Sequence, residues 1–434
     1  MRTQTLPIRR RTGRAAAIAA VLLVSALAVQ GCSSNSKTGS DSGDKVELTF
    51  LNQSRGQAET LDQLAQQYAK ENGITITVDS PGPADFPAKL QSKAQSKDMP
   101  DLYSATDANF MAPYYKAGWA RDLTADLNGE WGKTFTPSAL KLVRFEDDNS
   151  LKLPAGTYSI CWDTAAVGML ADPAPTGIDV DNPPATMPDF LAAVAKAGDG
   201  KFSIAAGLTP SLVQAYAANY MTDAEIDATF SGKASWETDA WRKTFQVFAD
   251  LRDAGALANN SIPGGKDDNP GVEKAFFNSK TVAAIFDASP AVGVARATAP
   301  DFTTFVSIPV PAAKDATQKA RGLAKPGKCA VINPKGKHVD QSLAFAKWLT
   351  APEQQKVFAE KVGTIPTAAS LAEAPASDQT KGFAATAGNA MIVPNTMTTD
   401  VVNAIQSGAQ SIVLNEKSVD DVLKAVQAAQ DAGK

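Results

Sequence analysis

The residue types that catalysis needs are few and scattered in this sequence. Its one histidine, His338, lies among lysines in a polar stretch, which is typical of a surface side chain rather than a general base. One histidine and three cysteines form no group with the spacing of zinc ligands. Ser138 and Lys141 have S-x-x-K spacing, but the K-T-G that should follow them stands earlier, at 37–39, so Ser138 is interpreted as a helix start. The sequence predicts no enzyme, no metal site and no cofactor.

Polar and aromatic residues instead follow several predicted strands, where they suit ligand binding. Sugar hydroxyls donate and accept hydrogen bonds at once, so amide, carboxylate and guanidinium groups satisfy them, while aromatic faces cover their C–H side. The candidates are Asn52, Gln53 and Arg55, then Tyr103, Ser104 and Asp107, then Tyr158, Trp162 and Asp163, and finally Asp287 and Ser289. Each also has a structural interpretation, with Trp162 in the core, Asp163 and Asp107 as helix caps and Asp287 in a turn. The pair Tyr114–Tyr115 is interpreted as packing.

Strands and helices alternate in the first part of the chain. Predicted strands at 46–51, 74–78 and 100–103 alternate with predicted helices that end near 72, 97 and 118. This order predicts an α/β fold with a mostly parallel sheet. Leu123 is expected in a further short strand. Later segments predict an extended stretch at 151–162, strands at 202–206 and 282–286, and helices at 236–257, 401–414 and 419–429.

The segment 327–370 predicts a buried strand followed by two amphipathic helices. Cys329–Ile332 is short and rich in β-branched residues, and Asn333–Pro334 closes it. Thr350 and Glu353 have the spacing of a capping box at the start of the second helix. Gly363 predicts the end of that helix in a left-handed conformation.

The same segment carries a family pattern. Its order of N-P-K, W-L-T-x-P-E-x-Q and V-G-x-x-P-x-x-x-S resembles the C-terminal signature of solute-binding proteins of ABC importers, in the large carbohydrate-binding (maltose-binding-like, family 1) class. Residues 275–290 resemble a second segment of that class, with Ser279 where glycine is usual.

The resemblance implies a two-lobe periplasmic-binding-protein-like (type II) fold with a hinge and a ligand cleft between the lobes. Lobe 1 is expected to contain 46–158 and 306–347, and lobe 2 to contain 159–305 and 348–434. The loop at 363–366 and the segment at 395–400, which begins with Asn395, are expected to face the cleft. Where relatives carry stacking tryptophans this chain has Pro290–Ala291 and Met397–Thr398, which favours a smaller polar ligand over a long oligosaccharide.

The N-terminal region has the pattern of a lipoprotein signal peptide. Four arginines at 9–14 precede an apolar run at 15–29, and Gly31–Cys32 follows it. We expect a signal peptide at 1–31, lipidation of Cys32 and a flexible tether at 32–45. Gln30 departs from the usual lipobox residue, so ordinary cleavage is the alternative. Removal of the five arginines at 1–31 takes the formal net charge from −4 to −9, which disfavours nucleic acid as a partner.

Cys161 and Cys329 are the cysteines that follow the signal peptide. Both lie in short β-type runs, so neighbouring strands would bring them together in a disulfide, and two separate buried thiols are the alternative.

The sequence therefore predicts a monomeric extracytoplasmic lipoprotein on the outer face of the cytoplasmic membrane. It would capture a carbohydrate-like ligand by hinge closure and deliver it to the transmembrane subunits of an ABC permease. The alternatives are an exported enzyme that acts on cell-wall material, and a ligand sensor without a transport role.

Overall fold

Two β-sheets form the framework of the protein, and the chain passes between them more than once. The computed structural model describes residues 45–433 except for 54–55, 83–84, 106–107, 148, 150, 260, 263–267, 320, 374–375, 392 and 394–395. The described strands are β1 Glu47–Leu51, β2 Thr75–Asp79, β3 Leu102–Ser104, β4 Arg144–Phe145, β5 Gly156–Thr157, β6 Ile160–Cys161, β7 Asp163–Ala171, β8 Phe202–Ile204, β9 Ala284–Ala288, β10 Val306–Ile308, β11 Gly322–Pro326, β12 Cys329–Ile332, β13 Ile365–Pro366 and β14 Ala390–Met391. The described α-helices are α1 Ala58–Asn72, α2 Phe86–Ser96, α3 Ala108–Lys116, α4 Thr124–Leu127, α5 Glu130–Lys133, α6 Pro137–Val143, α7 Pro173–Thr176, α8 Met187–Ala195, α9 Thr209–Ala217, α10 Asp223–Phe230, α11 Asp239–Asp253, α12 Asn269–Phe277, α13 Pro290–Thr298, α14 Val339–Leu349, α15 Pro352–Val362, α16 Asp378–Gly388, α17 Thr399–Val413 and α18 Val419–Ala432.

The first sheet has the strand order β2-β1-β3-β12-β6. Leu48 and Phe50 of β1 are buried and alternate with the exposed Glu47 and Thr49, as the period of a strand requires. β1 pairs in parallel with β2 and β3, whereas β12 pairs antiparallel with β3 and β6. The predicted alternation of strands and helices is therefore confirmed for this part of the chain.

Helices cover both faces of the first sheet. Helices α1, α14 and α15 enclose a cluster that contains Phe50, Trp162 and Phe358. On the other face, α2 and α3 contribute Phe86 and Met111 to a second cluster. These three layers are lobe 1.

The second sheet is organised around the nine-residue strand β7. Its main path is β14-β11-β7-β9-β8, and β10 and β13 pair with β7 as well. A large cluster that contains Trp236, Trp241 and Phe245 packs with α8, α9, α11, α17 and α18. A smaller cluster that contains Phe276 and Phe305 packs with α12, α13 and α16. These layers are lobe 2.

Three connections join the lobes within the described residues. The first lies between β6 and β7, the second between β11 and β12, and the third follows α15, where β13 pairs with β7 and Ala368 forms a bridge to Phe135 of lobe 1. The lobes differ from the predicted boundaries in three places. The strand β6 belongs to the first sheet, although 159–305 was expected in lobe 2. The segment 306–326 carries β10 and β11 of the second sheet, and α15 packs in lobe 1 because Phe358 stacks on Trp162 with ring centroids 5.6 Å apart.

Two local predictions are wrong. Thr350 does not cap α15, since it ends α14 and its Oγ1 donates to Ala346 O at 2.8 Å, so the expected capping box with Glu353 is not formed. Leu123 is not in a strand, because it precedes α4 and its N–H donates to Thr157 O at 2.8 Å. The predicted end of α15 is confirmed, since Gly363 has a φ of 84° and caps that helix.

Candidate functional site

A cavity of about 710 Å³ lies where both lobes meet the connections between them. Lobe 1 contributes Gln53, Tyr115, Ser159 and the segment 141–147, lobe 2 contributes parts of α9 and α10, and residues 324–328 come from the connection between β11 and β12. Small-molecule sites typically enclose about 300–1,000 Å³. This cavity is therefore the candidate ligand site.

A smaller hollow of about 330 Å³ is formed by helices of lobe 2 alone. Its lining residue Arg252 donates to Ile412 O at 2.8 Å and to Asn415 Oδ1 at 3.2 Å, so its polar groups serve the packing of α11 against α17. Since a single lobe builds it, opening and closing of the lobes would not affect it.

The second connection passes closely against Asp163 at the start of β7. A Cβ atom at Gly327 would lie 2.1 Å from Asp163 Oδ1 and 2.6 Å from Asp163 O, so the close approach requires glycine. The Gly327 N–H donates to Asp163 O at 3.1 Å, and the Lys328 N–H donates to Asp163 Oδ1. The first and second connections are thus bonded side by side.

Gln57, which directly precedes α1, forms hydrogen bonds with the same junction. Its Nε2 donates to Asp163 Oδ2 at 2.6 Å, and its Oε1 accepts from Trp162 Nε1 at 2.8 Å. All three side chains are buried. Burial raises the pKa of Asp163, while hydrogen bonds from the Lys328 backbone and from Gln57, together with the Lys328 charge, act to lower it.

The third connection is held by Gln355 of α15. Its Oε1 accepts from Thr367 N at 2.8 Å and from Ala368 N at 2.9 Å, and its Nε2 donates to Thr350 O at 2.7 Å. Thr367 Oγ1 in turn donates to Cys161 O at 2.8 Å, next to the first connection. The three connections therefore share one hydrogen-bonded network on the side of lobe 1.

A disulfide adjoins two of the connections. Cys161 and Cys329 are paired residues of β6 and β12, with Cα atoms 3.8 Å apart, and the structure joins their sulfur atoms. Cys161 directly precedes Trp162, and Cys329 directly follows Lys328. The bond thus ties together the lobe 1 ends of the first and second connections.

Aromatic side chains form part of the lobe 1 wall of the cavity. Tyr115 and Phe145 line it, with ring centroids 6.1 Å apart, and Tyr115 stacks on Tyr158 at 5.2 Å. Burial raises the pKa of Tyr115, although a hydrogen bond with Ser159 acts in the opposite direction, so the phenol stays protonated at neutral pH. The wall offers an apolar face next to a neutral hydroxyl.

Polar side chains on the lobe 2 side come from α9, β11 and the region before α17. Gln214 and Lys325 line the cavity, as does Thr396. Ser211 of α9 accepts from Lys325 Nζ at 2.9 Å. Donors and acceptors therefore stand close together on this wall.

Charges of both signs surround the cavity. The basic lining residues are Lys141, Arg144, Lys233, Lys325 and Lys328, and the acidic ones are Glu146, Asp147, Asp223 and Asp227. Glu146 Oε1 lies 3.3 Å from Arg144 Nε, and Asp223 forms an ion pair with Arg321. Since neither sign dominates, the electrostatics favour a neutral polar ligand over a strongly charged one.

Comparison with known proteins agrees with this architecture. Residues 63–385, more than half of the chain, match the family described as bacterial extracellular solute-binding protein. The chain belongs to this family. No curated protein sequence matches it at a significant level.

Solved structures with this fold are similar over nearly the whole chain. The GacH receptor of Streptomyces glaucescens, solved unliganded and with acarbose, is 19% identical with a TM-score of 0.72, and the match covers 90% of this chain and 97% of that chain. The maltotriose-binding protein of Thermus thermophilus, bound with maltotriose, is 17% identical with a TM-score of 0.69, covering 89% and 99%. The maltose/maltodextrin-binding domain MalE of Bdellovibrio bacteriovorus is 19% identical with a TM-score of 0.67, covering 89% and 99%. The predicted two-lobe α/β fold of periplasmic-binding-protein type is thus confirmed.

In this solute-binding protein, the predicted residue Gln53 lines the cavity. Asn52 and Ser104 lie behind it and are buried. Ser104 Oγ donates to Asn52 Oδ1 at 3.2 Å and accepts from Gln53 N at 2.9 Å. These two predicted residues are therefore placed to orient Gln53.

The three predicted aromatic platforms lie in the interior of lobe 1. Trp162 and Tyr103 are fully buried, and Tyr103 Oη donates to Trp119 O at 3.1 Å. Tyr158 Oη donates to Pro154 O at 3.1 Å. None of the three is among the described residues that line the cavity. Trp162 is a core residue, which was its alternative interpretation.

The predicted polar residues of lobe 2 lie at the end of β9. Ser289 Oγ accepts from Ala166 N at 3.3 Å and donates to Thr164 O at 3.4 Å. Asp287 is buried, and its Oδ1 accepts from Ala288 N at 2.7 Å. The next residue, Pro290, lines the cavity, so the chain that follows β9 reaches the site at this proline. The predictions for Arg55, Asp107, Asn395 and Cys32 fall outside the described residues.

Sequence reasoning missed Tyr115, Phe145, Gln214 and Lys325. Gln214 had a recognisable signal, because it is the one long polar side chain in the apolar run at 212–218. Lys325 precedes Pro326–Gly327, and that dipeptide marks a tight passage. Tyr115 and Phe145 had no such signal, since only the tertiary contact places them on one wall.

The described residues contain neither a metal site nor a membrane-spanning helix. No group of His, Cys, Asp and Glu in the described part of the chain has the arrangement of a metal site. None of the helices described between 45 and 433 is long and apolar enough to cross a membrane.

Proposed function

We propose that this protein captures a carbohydrate-like ligand in the cavity between its lobes and delivers it to an ABC permease. The observation that carries the proposal is the position of the cavity, which contacts both lobes and the connections between them. A ligand that bonds both walls favours the closed arrangement by its differential affinity, so binding would be coupled to hinge closure.

The lining residues support a neutral, hydroxyl-rich ligand. Tyr115 and Phe145 provide apolar faces, and Gln53, Gln214 and Ser159 provide amide and hydroxyl groups. The charges around the cavity nearly balance. Similar structures were solved with acarbose and with maltotriose, which accords with the same ligand class for this chain.

The proposed location is the outer face of the cytoplasmic membrane, with Cys32 as the lipid anchor. The support is the arginine-rich start, the apolar run and the Gly31–Cys32 pair in the sequence, together with membership of an extracellular family. The protein would bind its ligand without turnover and act as a monomer, and the permease would supply the passage through the membrane.

Thermal unfolding with a ligand panel tests the proposal. At a ligand concentration of about a hundred times Kd, binding stabilises the folded state by about 2.7 kcal/mol, which raises Tm by a few degrees for lobes of this size. The panel contains neutral mono- and oligosaccharides, polyols, amino acids and metal ions, and we expect shifts with sugars. X-ray scattering should show a smaller radius of gyration with the same sugar.

Matched aromatic variants make this test specific. Phe145→Ala removes a half-buried ring that lines the cavity, so it should reduce the sugar-induced shift. Phe110→Ala removes a half-buried ring of lobe 1 that packs on Tyr114 outside the lining and should leave the shift intact. Shifts with amino acids or metal ions and none with sugars would overturn the ligand class, and turnover of a cell-wall glycan would favour the enzyme alternative.

A further inference from the structure

Helix α9 is buried at each of its nine positions, and one of them is Gln214. Gln214 is only 1% exposed. Its Nε2 donates to Val393 O at 3.3 Å, but its Oε1 has no hydrogen-bond partner among the residues that the structure describes. A buried acceptor without a donor opposes folding, so its presence calls for a cause outside the packing of the lobe.

The cavity supplies that cause, because Gln214 belongs to its lining. Ser211 precedes Gln214 by three residues and therefore lies on the same face of α9. Ser211 Oγ accepts from Lys325 Nζ at 2.9 Å, and Lys325 also lines the cavity. An amide acceptor and an ammonium donor are thus placed on the same part of the wall.

Thr396 adds a second unsatisfied oxygen to the lining. Its buried Oγ1 has no partner within the described part of the chain. Like Gln214, it belongs to lobe 2. Two oxygens without a partner among the described residues, and one ammonium group, therefore belong to side chains that line a cavity large enough for a small ligand.

We propose that Gln214, Lys325 and Thr396 form a hydroxyl-binding subsite in lobe 2 for a neutral, polyhydroxylated ligand. A ligand hydroxyl donates its hydrogen to Gln214 Oε1 and accepts from Lys325 Nζ, which uses both capacities of the hydroxyl at once. Because Oε1 can only accept, a carboxylate or phosphodiester oxygen cannot replace that hydroxyl. This inference rests on the proposed carbohydrate-binding function, and it names the atoms through which lobe 2 selects the ligand class.

Titration calorimetry with maltotriose, stachyose and D-tagatose tests the subsite. We expect the wild-type protein to bind at least one of the three sugars and Gln214→Met to weaken that binding about tenfold, the worth of one buried hydrogen bond. Without sugar, the Tm of Gln214→Met should stay close to that of the wild type, since the variant removes an unsatisfied oxygen together with the long 3.3 Å bond to Val393 O. Lys325→Met removes the hydrogen-bond donor of the subsite and should weaken the binding of the same sugar.

Thr386→Val is the matched control. Thr386 is a buried lobe 2 residue whose Oγ1 also has no partner among the described residues, but it does not line the cavity. Its replacement should leave sugar affinity unchanged.

The outcomes separate the inference from the proposed function. Unchanged affinity in both Gln214→Met and Lys325→Met would overturn the subsite and leave the carbohydrate-binding function intact. An equal loss in Thr386→Val would also overturn the subsite, because the loss would then reflect the packing of lobe 2. Absence of binding of all three sugars to the wild-type protein would overturn the proposed function, and the subsite with it.

Discussion

Gln57→Met removes an amide that bonds two buried partners at the junction of the lobes. Trp162 Nε1 loses its acceptor at 2.8 Å, and Asp163 Oδ2 loses a donor at 2.6 Å. Methionine has a similar length and no polar atom that could replace either bond. Both partners stay buried, so water does not readily take the place of the amide.

The expected loss of folding free energy is about 3–5 kcal/mol. A buried indole N–H without an acceptor costs about 1–3 kcal/mol, and the loss of a hydrogen bond to a charged group costs about 1.5–3 kcal/mol. The cost of losing the bond to Asp163 depends on pH, because only the ionised carboxylate makes a charge-assisted hydrogen bond.

The sign of that dependence follows from the pKa of Asp163. Burial raises this pKa above the value of about 3.9 in an unfolded chain, so the stability contribution of Asp163 is full below that value and is lost as the pH rises through the folded pKa. The bond from Gln57 acts to lower the folded pKa, and its removal raises it further. The deficit of Gln57→Met should therefore be largest at neutral pH and fall toward the cost of Trp162 alone near pH 4, roughly the unfolded pKa.

Urea unfolding at neutral pH and near pH 4 measures both parts. Gln67→Met is the control, since Gln67 is an exposed glutamine of α1, the helix that Gln57 precedes, and its Nε2 donates to Glu71 of that helix. Its replacement should change stability by less than about 0.5 kcal/mol. An equal deficit at the two pH values would refute the coupling of Gln57 to Asp163. A deficit as small as that of the control would refute the whole account of the junction.

Three further predictions concern covalent links and packing. Peptide mapping without reductant should recover Cys161 and Cys329 as one cross-linked species, and replacing both with alanine should cost up to about 5 kcal/mol for a loop with a separation of 168 residues; alkylation of both thiols in exported protein would contradict this. Cys32→Ala should move the protein from membranes into the medium, and a variant that still enters the detergent phase would reject lipidation at this residue. Gln355→Met should destabilise the protein by about 3 kcal/mol or more at any pH between about 5 and 8, because it leaves several buried backbone groups unpaired, and an unchanged urea midpoint would count against this role.

Much of the fold could be predicted from the sequence because its signals are local. The strand Cys329–Ile332 is a short apolar run, and the stop at Gly363 needs only a residue that tolerates a positive φ. The family resemblance predicted a crossing between the lobes near 158–159, and the structure has it a few residues later, after β6. The predicted cap at Thr350 is not formed because its hydroxyl bonds to Ala346 O of α14 instead of to the backbone of α15. Residue spacing alone does not decide between these two bonds.

The site was harder to predict because strand ends do not reveal which side chains turn inward. Tyr103 ends the predicted strand and Trp162 directly follows β6, as a binding residue would, yet both side chains are fully buried. Tyr115 and Phe145 are thirty residues apart, and only the packing of α3 against β4 brings their rings to one wall. Residues that orient a site, such as Asn52 and Ser104, look the same in sequence as residues that line it.

The strand order of the first sheet also affects when the chain can fold. β12 lies between β3 and β6, and Val331 pairs with Tyr103 across more than two hundred residues of chain. Until residues 329–332 have been synthesised, β3 can pair only with β1, and β6 has no partner in this sheet. Such distant pairing makes folding slow, because the entropy of closing a long loop is lost before the contact is gained. In the proposed exported lipoprotein, lobe 1 would therefore stay incomplete until about three quarters of the chain had been synthesised. A chain that has not yet folded can still pass through a membrane as an extended polypeptide.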